Sequence, residues 1–275
     1  MKGFSTLVIL GAIAATVVVD AADAQTRYVR YEQAGDISWG ELDGTTIRQL
    51  SDAPYLGGMR TGRTTTESAV TMKAPVDPTL VFMTAFNFRS HIAGDPAEYP
   101  GLFTVPASSI IGPGENIVRP AGSQNLHYEA EMVVVIGRRA MNVSPEEAPA
   151  YIFGVAAGND VSERAWQAGD IQWIRAKGSR TFNAVGPVLV AGLDYTNLQI
   201  EGRLNGEARQ EENSSDLIFN MHHMVSYISQ YFTLEPGDLI WSGTMGATSA
   251  MEPGDVYEVE IEGVGILRNQ VVQGH

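Results

Sequence analysis

The sequence predicts an α+β protein that is mainly β, and this prediction rests on its turn sequences and one buried run. Glycine occupies 29 of the 275 positions and proline 13, a composition that favours many turns between short strands. The sequence Glu-Pro-Gly-Asp occurs at 235–238 and again at 252–255, each time directly before an apolar run. Because proline followed by glycine is typical of a type II turn, each copy is expected to start a strand. Met132–Ile136 is a continuous apolar run rich in valine, which predicts a buried strand.

The N-terminal segment is expected to be a signal peptide. Lys2 provides a positive start, and residues 4–19 form an apolar run, which is short for a membrane-spanning helix of about 20 residues. Ala22 and Ala24 frame an aspartate in the pattern that a signal peptidase accepts. The alternatives are a retained membrane anchor and a buried N-terminal helix. Cleavage after Ala24 predicts a periplasmic or secreted protein without stable membrane association.

The mature chain is expected to contain two units, residues 25–77 and residues 78–275. The first alternates short apolar pieces with Gly, Asp and Thr, which is typical of a small N-terminal β subdomain of antiparallel strands. The second carries longer strands and the candidate chemical motifs, and is expected to be the catalytic domain. Helices are expected at 145–153, with Ser144 as N-cap, and at 216–232, where apolar residues follow helical spacing.

Composition excludes several classes of function. The chain has 18 Lys and Arg against 32 Asp and Glu, a formal net charge of −14 at pH 7. This argues against nucleic-acid binding, because that affinity comes from clustered cations. The absence of cysteine excludes disulfides, thiolate metal sites and a cysteine nucleophile. The sequence also lacks a phosphate-binding glycine loop, a dinucleotide fingerprint and a nucleophile elbow.

Three carboxylates are candidates for a metal site. Glu129 and Glu131 stand two residues apart just before the valine run, and side chains at that spacing on a strand share one face. Two carboxylates that enter a buried face repel each other unless a cation lies between them, and hard divalent cations prefer oxygen ligands. Asp160 would complete a three-carboxylate set; its alternative role is an N-cap or an Asx turn. Lys177 would balance the negative charge or bind a substrate carboxylate; its alternative is a solvent-exposed lysine.

The spacing of the two glutamates is weak evidence by itself. Glu258, Glu260 and Glu262 have the same spacing and alternate with apolar residues. We expect these three to form the solvated face of an amphipathic edge strand.

A larger set of ordered motifs resembles the fumarylacetoacetate hydrolase family. In chain order these are Glu129-x-Glu131, Gly158-Asn159-Asp160-x-Ser162-x-Arg164-x-x-Gln167, Gln172-Trp173 with Lys177, Gly186-Pro187, Asn205-Gly206 with Gln210, Leu234-Glu235-Pro236-Gly237-Asp238, Ser242-Gly243-Thr244 and Gly265-x-Leu267-Arg268-Asn269. The resemblance spans roughly residues 78 to 270.

The resemblance implies a mixed β-roll catalytic domain that holds Mg²⁺ or Mn²⁺, with Ca²⁺ as a further alternative. Its substrates would be small anionic 2-oxo or 1,3-dicarbonyl acids, and its usual assembly a homodimer or a dimer of dimers. The matching positions imply these roles: metal ligands Glu129, Glu131 and Asp160; substrate-binding residues Arg164, Gln167, Lys177 and Thr244; and Lys177 also as a catalytic residue.

The resemblance also supplies a candidate base. The family's Asn-Tyr-x-x-His segment is matched by Asn87-Phe88-Arg89-Ser90-His91, so His91 is the expected catalytic histidine. In hydrolytic relatives a glutamate three residues later orients the histidine, whereas this chain has Gly94. Asp95 and Glu98 are the candidate substitute carboxylates.

These observations favour an exported, metal-dependent hydrolase that cleaves a C–C bond in an acylpyruvate-like acid with the help of a substitute carboxylate. The alternatives are an isomerase, decarboxylase or hydratase that uses the same metal site, and a non-catalytic binding protein on this scaffold.

Export predicts a defined mature terminus. Protein recovered from expressing cells should begin at Gln25, because signal peptidase cleaves after the small-residue pair. Intact-mass measurement or N-terminal sequencing checks this, and a full-length product retained in the membrane fraction would contradict it.

Overall fold

The described chain, residues 25–274 of a computed structural model, is built mainly of β-strands. The expected signal peptide lies outside the described residues. The strands are β1 (Thr26–Gln33), β2 (Asp36–Asp43), β3 (Thr46–Leu50), β4 (Arg60–Thr66), β5 (Thr71–Lys73), β6 (Val81–Ala85), β7 (Gly101–Thr104), β8 (Ile110–Ile111), β9 (Ile117–Arg119), β10 (Leu126–His127), β11 (Ala130–Ile136), β12 (Ile152–Asp160), β13 (Ser162–Glu163), β14 (Asn183–Ala191), β15 (Gln199–Leu204), β16 (Glu207–Asn213), β17 (Leu239–Trp241), β18 (Val256–Ile261) and β19 (Gly265–Gln273). The α-helices are α1 (Arg164–Gly169), α2 (Ile174–Gly178) and α3 (Met221–Ser229), and 3₁₀ turns lie at Pro54–Leu56, Glu67–Ala69, Arg89–His91, Ala107–Ser109, Ala148–Tyr151 and Ser214–Asp216.

One large sheet joins the N-terminal strands to strands from the middle of the chain. Its main path is β4-β3-β2-β1-β14-β12-β11-β17-β6-β7, with β5 paired to β1 and β8 paired to β14. Because β1 pairs antiparallel with β14, the N-terminal strands continue the sheet that carries the candidate metal ligands. The boundary expected between residues 77 and 78 falls between β5 and β6, and the division into two units stays a prediction.

A second sheet, in the order β16-β15-β18-β19-β9, packs on the first. Val259 and Ile261 of β18 share one buried cluster with Met132 and Val134 of β11. The expected mainly β architecture is therefore confirmed. The edge position expected for the strand that carries Glu258 is wrong, because β18 pairs with β15 on one side and with β19 on the other.

The first expected helix is replaced by a single 3₁₀ turn, Ala148–Tyr151. Ser144 accepts hydrogen bonds from the backbone N–H groups of Glu147 and Ala148, so the turn begins where expected. Pro149 has no N–H to continue an α-helix, and the next apolar residues pair in the sheet as β12. The helix predicted over residues 145–153 is therefore wrong in extent, because only Ala148–Tyr151 is helical and the chain enters β12 at Ile152.

The second expected helix begins five residues late, as α3. The preceding segment is extended because the backbone N–H of Ile218 donates to the Asn87 carbonyl, and the N–H of Phe219 donates to the Asn87 side chain. Asn220 then caps the helix by accepting from the N–H of His223. No helix of the described chain is long and apolar enough to cross a membrane.

The strands that carry the candidate ligands pack tightly against a tryptophan. Glu131 lies opposite Gly158 across the β11–β12 pair, and Val133 pairs with Trp241. A Cβ at Gly158 would lie 2.4 Å from Trp241 Cζ3 and 2.6 Å from Val133 Cγ2. Since Trp241 is fully buried, its ring cannot move away, and glycine is required here for close packing beside Glu131.

Replacement of this glycine is expected to destabilise the fold. Gly158→Ala should lower the free energy of unfolding by about 1–3 kcal/mol, the typical cost of overpacking a core. Gly169→Ala is the matched control, because a Cβ at the end of α1 meets nothing within 4 Å. Urea denaturation measures both variants, and equal stability of Gly158→Ala and the wild type would contradict the packing argument.

Candidate active site

Three buried carboxylates from two adjacent strands form the centre of the site. Glu129 immediately precedes β11, Glu131 lies within it, and Asp160 ends β12. Their exposed fractions are 3%, 1% and 1%, and one ligand oxygen of each lies within 4.8 Å of the others. The structure thus brings together the three residues that the sequence predicted as metal ligands.

Two cations compensate part of this charge. The Lys177 ammonium donates to Glu129 Oε2 at 2.5 Å and to Asp160 Oδ2 at 2.6 Å. Arg164 Nη2 donates to Glu129 Oε1 at 2.5 Å. Asn183 Nδ2 donates to the remaining Asp160 oxygen at 3.2 Å. Lys177 is buried rather than solvent-exposed, and Asp160 serves the cluster rather than a helix cap.

Glu131 differs from its neighbours because no cation of the described chain contacts it. Its carboxylate accepts a hydrogen bond from the backbone N–H of Gly243 at 2.8 Å. Burial raises the pKa of Glu131 well above its usual value, and the charges of Asp160 and Glu129 raise it further. Glu131 therefore resists ionisation unless additional positive charge reaches it.

The same competition sets the other protonation states. Burial raises the pKa of Glu129, but Lys177 and Arg164 outweigh burial and lower this pKa to about 2. Burial raises the pKa of Asp160 to about 7, since Lys177 opposes it only in part. Burial lowers the pKa of Lys177, but Asp160 and Glu129 outweigh this and leave the pKa raised, so the ammonium stays charged.

This donor set fits a divalent cation. The three side chains offer only oxygen atoms, the ligands that Mg²⁺ and Mn²⁺ prefer. Both protein cations contact Glu129 and neither contacts Glu131, so Lys177 offsets only part of the rise in the pKa of Glu131. A cation held by Glu129, Glu131 and Asp160 would supply the missing charge.

His91 lies on the same cavity as the carboxylates. It ends the 3₁₀ turn Arg89–His91, and its Nδ1 lies 2.6 Å from the carbonyl oxygen of Gly246. Because a carbonyl oxygen only accepts, Nδ1 carries the proton and Nε2 of the neutral ring is an acceptor.

The expected substitute carboxylates take no part in this arrangement. Asp95 and Glu98 are both exposed, and neither forms a hydrogen bond or ion pair with His91 in residues 25–274. Gly94 has φ of 95°, and this turn precedes a surface loop that carries both carboxylates. The expectation that Asp95 or Glu98 orients His91 is therefore not met. The hydrogen-bond partner that orients the imidazole is the carbonyl of Gly246.

A cavity of about 280 Å³ opens beside the carboxylates. It is lined by Thr84, Ala85, Phe86, His91, Phe103, Glu129, Arg164, Gln167, Ala168, Trp173, Lys177 and Thr244. The structure thereby brings every predicted substrate-binding residue to one cavity. Gln167 accepts from Arg164 Nη1 at 2.8 Å, and the Thr244 hydroxyl accepts from Gln210 and donates to the Ala130 carbonyl.

Comparison with known proteins identifies the family. The family model described as "Fumarylacetoacetate (FAA) hydrolase C-terminal" matches residues 80–272, and the model "Rv2993c-like, N-terminal" matches residues 26–75. The chain belongs to the fumarylacetoacetate hydrolase family. This confirms the fold that the motif resemblance implied.

Similar proteins in the family are enzymes. Mitochondrial oxaloacetate tautomerase FAHD2A of Bos taurus is 35% identical over 221 residues, which are 74% of this chain and 70% of the bovine protein. The crystal structure of 5-carboxymethyl-2-hydroxymuconate delta-isomerase from Mycobacterium smegmatis has a TM-score of 0.85 and 33% identity, and the match covers 90% of this chain and 100% of that chain. The fumarylacetoacetate hydrolase of Exiguobacterium antarcticum has a TM-score of 0.82 and 29% identity, with the same two coverages.

Several residues of this family site were missed by the sequence analysis. Thr248 Oγ1 lies 3.0 Å from Arg164 Nη2 and 2.8 Å from His127 Nδ1, and so links two polar side chains beside Glu129. Asn183 and Gly246 provide contacts to Asp160 and His91. Each of these partners lies at least 23 residues away in the chain from the group it contacts, so a local pattern could not reveal them.

A shared cation predicts metal-dependent stability. The melting temperature of the wild type should rise with Mg²⁺ or Mn²⁺, because a ligand that binds only the folded state stabilises it. The measurement is best made at pH 8, since protons compete for Asp160 below its pKa of about 7. Asp160→Asn should abolish the rise.

The matched control for this experiment is Glu262→Gln, which removes an exposed carboxylate outside the cluster. It should keep the full metal-induced shift. An undiminished shift in Asp160→Asn would exclude Asp160 as a ligand.

Proposed function

We propose that this protein is a divalent-metal-dependent enzyme that moves a proton between carbon and oxygen in a small anionic 2-oxo acid, as a tautomerase or isomerase. The observation that carries the proposal is the partner of His91, which is the Gly246 carbonyl rather than a carboxylate. When bound, the divalent cation supplies Lewis-acid polarisation of the substrate's carbonyl oxygen.

His91 is suited to move a proton at a carbon next to the 2-oxo group. The carbonyl of Gly246 holds the imidazole in the tautomer with the proton on Nδ1. The free electron pair of Nε2 is then available to accept a proton from the substrate. His91 and Glu129 line the same cavity, so the imidazole lies on the side of the metal-ligand cluster from which a bound 2-oxo acid would be presented. Tautomerisation moves a proton between carbon and oxygen and needs no nucleophilic water, so it does not call for the carboxylate partner that orients the histidine in hydrolysis.

The charged end of the cavity is suited to bind the carboxylate of a 2-oxo acid. Lys177 and Arg164 place two permanent positive charges beside Glu129. Gln167 accepts from Arg164 through its carbonyl oxygen, which orients its amide N–H groups as donors for a bound acid. These groups bind and orient the substrate while His91 moves the proton.

Two named relatives support this class of reaction. The bovine protein is named an oxaloacetate tautomerase and the Mycobacterium smegmatis protein a delta-isomerase. Both names denote a rearrangement within one molecule rather than a cleavage.

Hydrolysis of a C–C bond in an acylpyruvate-like acid is the second candidate. A relative named fumarylacetoacetate hydrolase favours it, with 29% identity and a TM-score of 0.82. Against it, hydrolysis needs an activated water, and the exposed positions of Asp95 and Glu98 leave His91 without the orienting carboxylate that the motif comparison called for.

We also propose that the enzyme acts in the periplasm or outside the cell after cleavage at Ala24, and that it assembles as a homodimer or a higher homo-oligomer. The signal-like N-terminal sequence supports the first proposal. The resemblance to the family supports the proposed homo-oligomer.

The reaction class is tested with purified mature protein and Mg²⁺ or Mn²⁺. Loss of the ultraviolet absorbance of the enol form follows tautomerisation of two 2-oxo acids, phenylpyruvate and oxaloacetate, and acetylpyruvate serves as the hydrolytic substrate. Tautomerisation should be the faster reaction, and His91→Asn should lower it by roughly 10²–10⁴, the range of general acid–base groups.

Two controls separate the candidate functions. His223→Asn removes an exposed histidine of α3 and should behave as the wild type. The double variant Asp95→Ala/Glu98→Ala should keep tautomerase activity. Faster hydrolysis than tautomerisation, lost in that double variant, would instead establish the hydrolase with a substitute carboxylate.

A further inference from the structure

Three aromatic side chains form one side of the active-site cavity, and we refer to Phe86, Phe103 and Trp173 as the aromatic wall. Trp173 meets both phenylalanines edge to face, with ring centroids 5.9 Å from Phe86 and 5.3 Å from Phe103. The Lys177 ammonium lies 5.6 Å from the Phe103 ring. The aromatic wall therefore begins directly beside the charged end of the cavity.

Phe86 holds an unfavourable position in this wall. Its φ is 60°, a left-handed conformation that a bulky residue rarely adopts, and its side chain is 54% exposed. The neighbouring Asn87 keeps it there, because Asn87 Nδ2 donates to the carbonyls of Ser242 and Phe219. An exposed ring in a strained backbone contributes little to folding, and such strain occurs preferentially at ligand sites.

The cations that line the cavity are engaged at its charged end. Lys177 contacts Glu129 and Asp160, and Arg164 contacts Glu129, Gln167 and Thr248. Among the cavity-lining residues of the described chain, the cation beside the aromatic wall is Lys177 near Phe103, and its ammonium is already paired with Glu129 and Asp160.

Two further arginines, Arg89 and Arg175, do not line the cavity or the two depressions that extend it. Arg175 is also paired with Asp170. A second carboxylate on the substrate would therefore meet aromatic rings rather than positive charge.

The apolar surface continues outward from the cavity. Two further depressions of about 230 and 380 Å³ share Phe103 and Trp173 with it, and Ile171 and Ile174 add exposed apolar side chains along their edges. The cavity and the two depressions together form a groove that begins at the carboxylate cluster. The part of this groove that lies farthest from the carboxylates is lined mainly by hydrophobic groups.

We infer that the substrate is a 2-oxo acid with an apolar tail, aryl or alkyl, that lies against the aromatic wall, and not a 2-oxo dicarboxylate. This inference rests on the proposed function for the 2-oxo acid portion and adds the chemistry of the tail. Phe86 is the specificity-determining residue, because removal of its ring opens the wall to solvent.

The test compares two acids that differ only in the substituent at C3 of pyruvate, which is phenyl in phenylpyruvate and carboxylate in oxaloacetate. Calorimetric titration of the mature protein in Mg²⁺ measures the affinity for each, independently of turnover. The wild type should bind phenylpyruvate at least about ten-fold more tightly, a ratio within reach of one or two aromatic contacts.

Variants of Phe86 test whether its ring causes the preference for phenylpyruvate over oxaloacetate. Phe86→Gly removes the ring while glycine accepts the positive φ without strain, so the affinity ratio should fall by about ten-fold. Phe86→Leu should retain most of the ratio because it keeps an apolar side chain. Tyr231→Ala is the matched control, since it removes a ring that is 66% exposed and that lines neither the cavity nor the two depressions, and its ratio should equal that of the wild type.

The two proposals fail in different ways. Oxaloacetate binding as tightly as phenylpyruvate, an unchanged ratio in Phe86→Gly, or binding of neither acid would overturn the role of the aromatic wall. A preserved preference without tautomerisation of either acid would overturn the proposed reaction and leave the aromatic wall as the site of the apolar tail.

Discussion

The site depends on one electrostatic constraint, which is the burial of three carboxylates within 4.8 Å of one another at the ends of two paired strands. Burial and mutual repulsion both favour their neutral forms. The chain offsets this with Lys177, which is itself buried, and with Arg164. Both cations contact Glu129, whereas Glu131 has only a backbone N–H. This imbalance gives the cluster a physical reason to bind a divalent cation, and it explains why the three pKa values move in different directions.

The two sheets hold this cluster through a few polar contacts between buried groups. Gln210, on β16 of the smaller sheet, accepts hydrogen bonds from the N–H of Ala130 and from the Tyr257 hydroxyl. Its amide donates to Thr244 at the edge of the cavity. Buried polar groups are costly unless each has a partner, so these contacts fix the relative position of β11 and the Thr244 loop. Precise placement of the charged end of the cavity therefore follows from packing between the sheets.

The cavity combines two chemically different ends. One end presents the carboxylates, Lys177 and Arg164, and the other presents aromatic rings. His91 lies on the same cavity with its tautomer set by the Gly246 carbonyl. A neutral, oriented imidazole is matched to an acidified C–H, and an apolar wall is matched to a tail without charge. Both features support a proton-shifting enzyme for a 2-oxo acid whose tail is hydrophobic.

Local patterns of the chain predicted the mainly β class and the buried strand that follows Glu131, and the resemblance to the family's ordered motifs assigned the candidate ligand set. Alternation places Glu131 on one face with Val133 and Val135, and the ordered motifs single out Asp160 and Lys177, because these signals depend on residues close in sequence. Tertiary structure decided the rest. The helix expected from residue 216 begins at Met221 because Asn87, 132 residues from Phe219, keeps the preceding segment extended. His91 bonds to a carbonyl 155 residues away, and Phe86 contacts Trp173, which precedes helix α2 in a distant part of the chain. Contacts of that kind depend on how strands and loops meet in space, which no local spacing records.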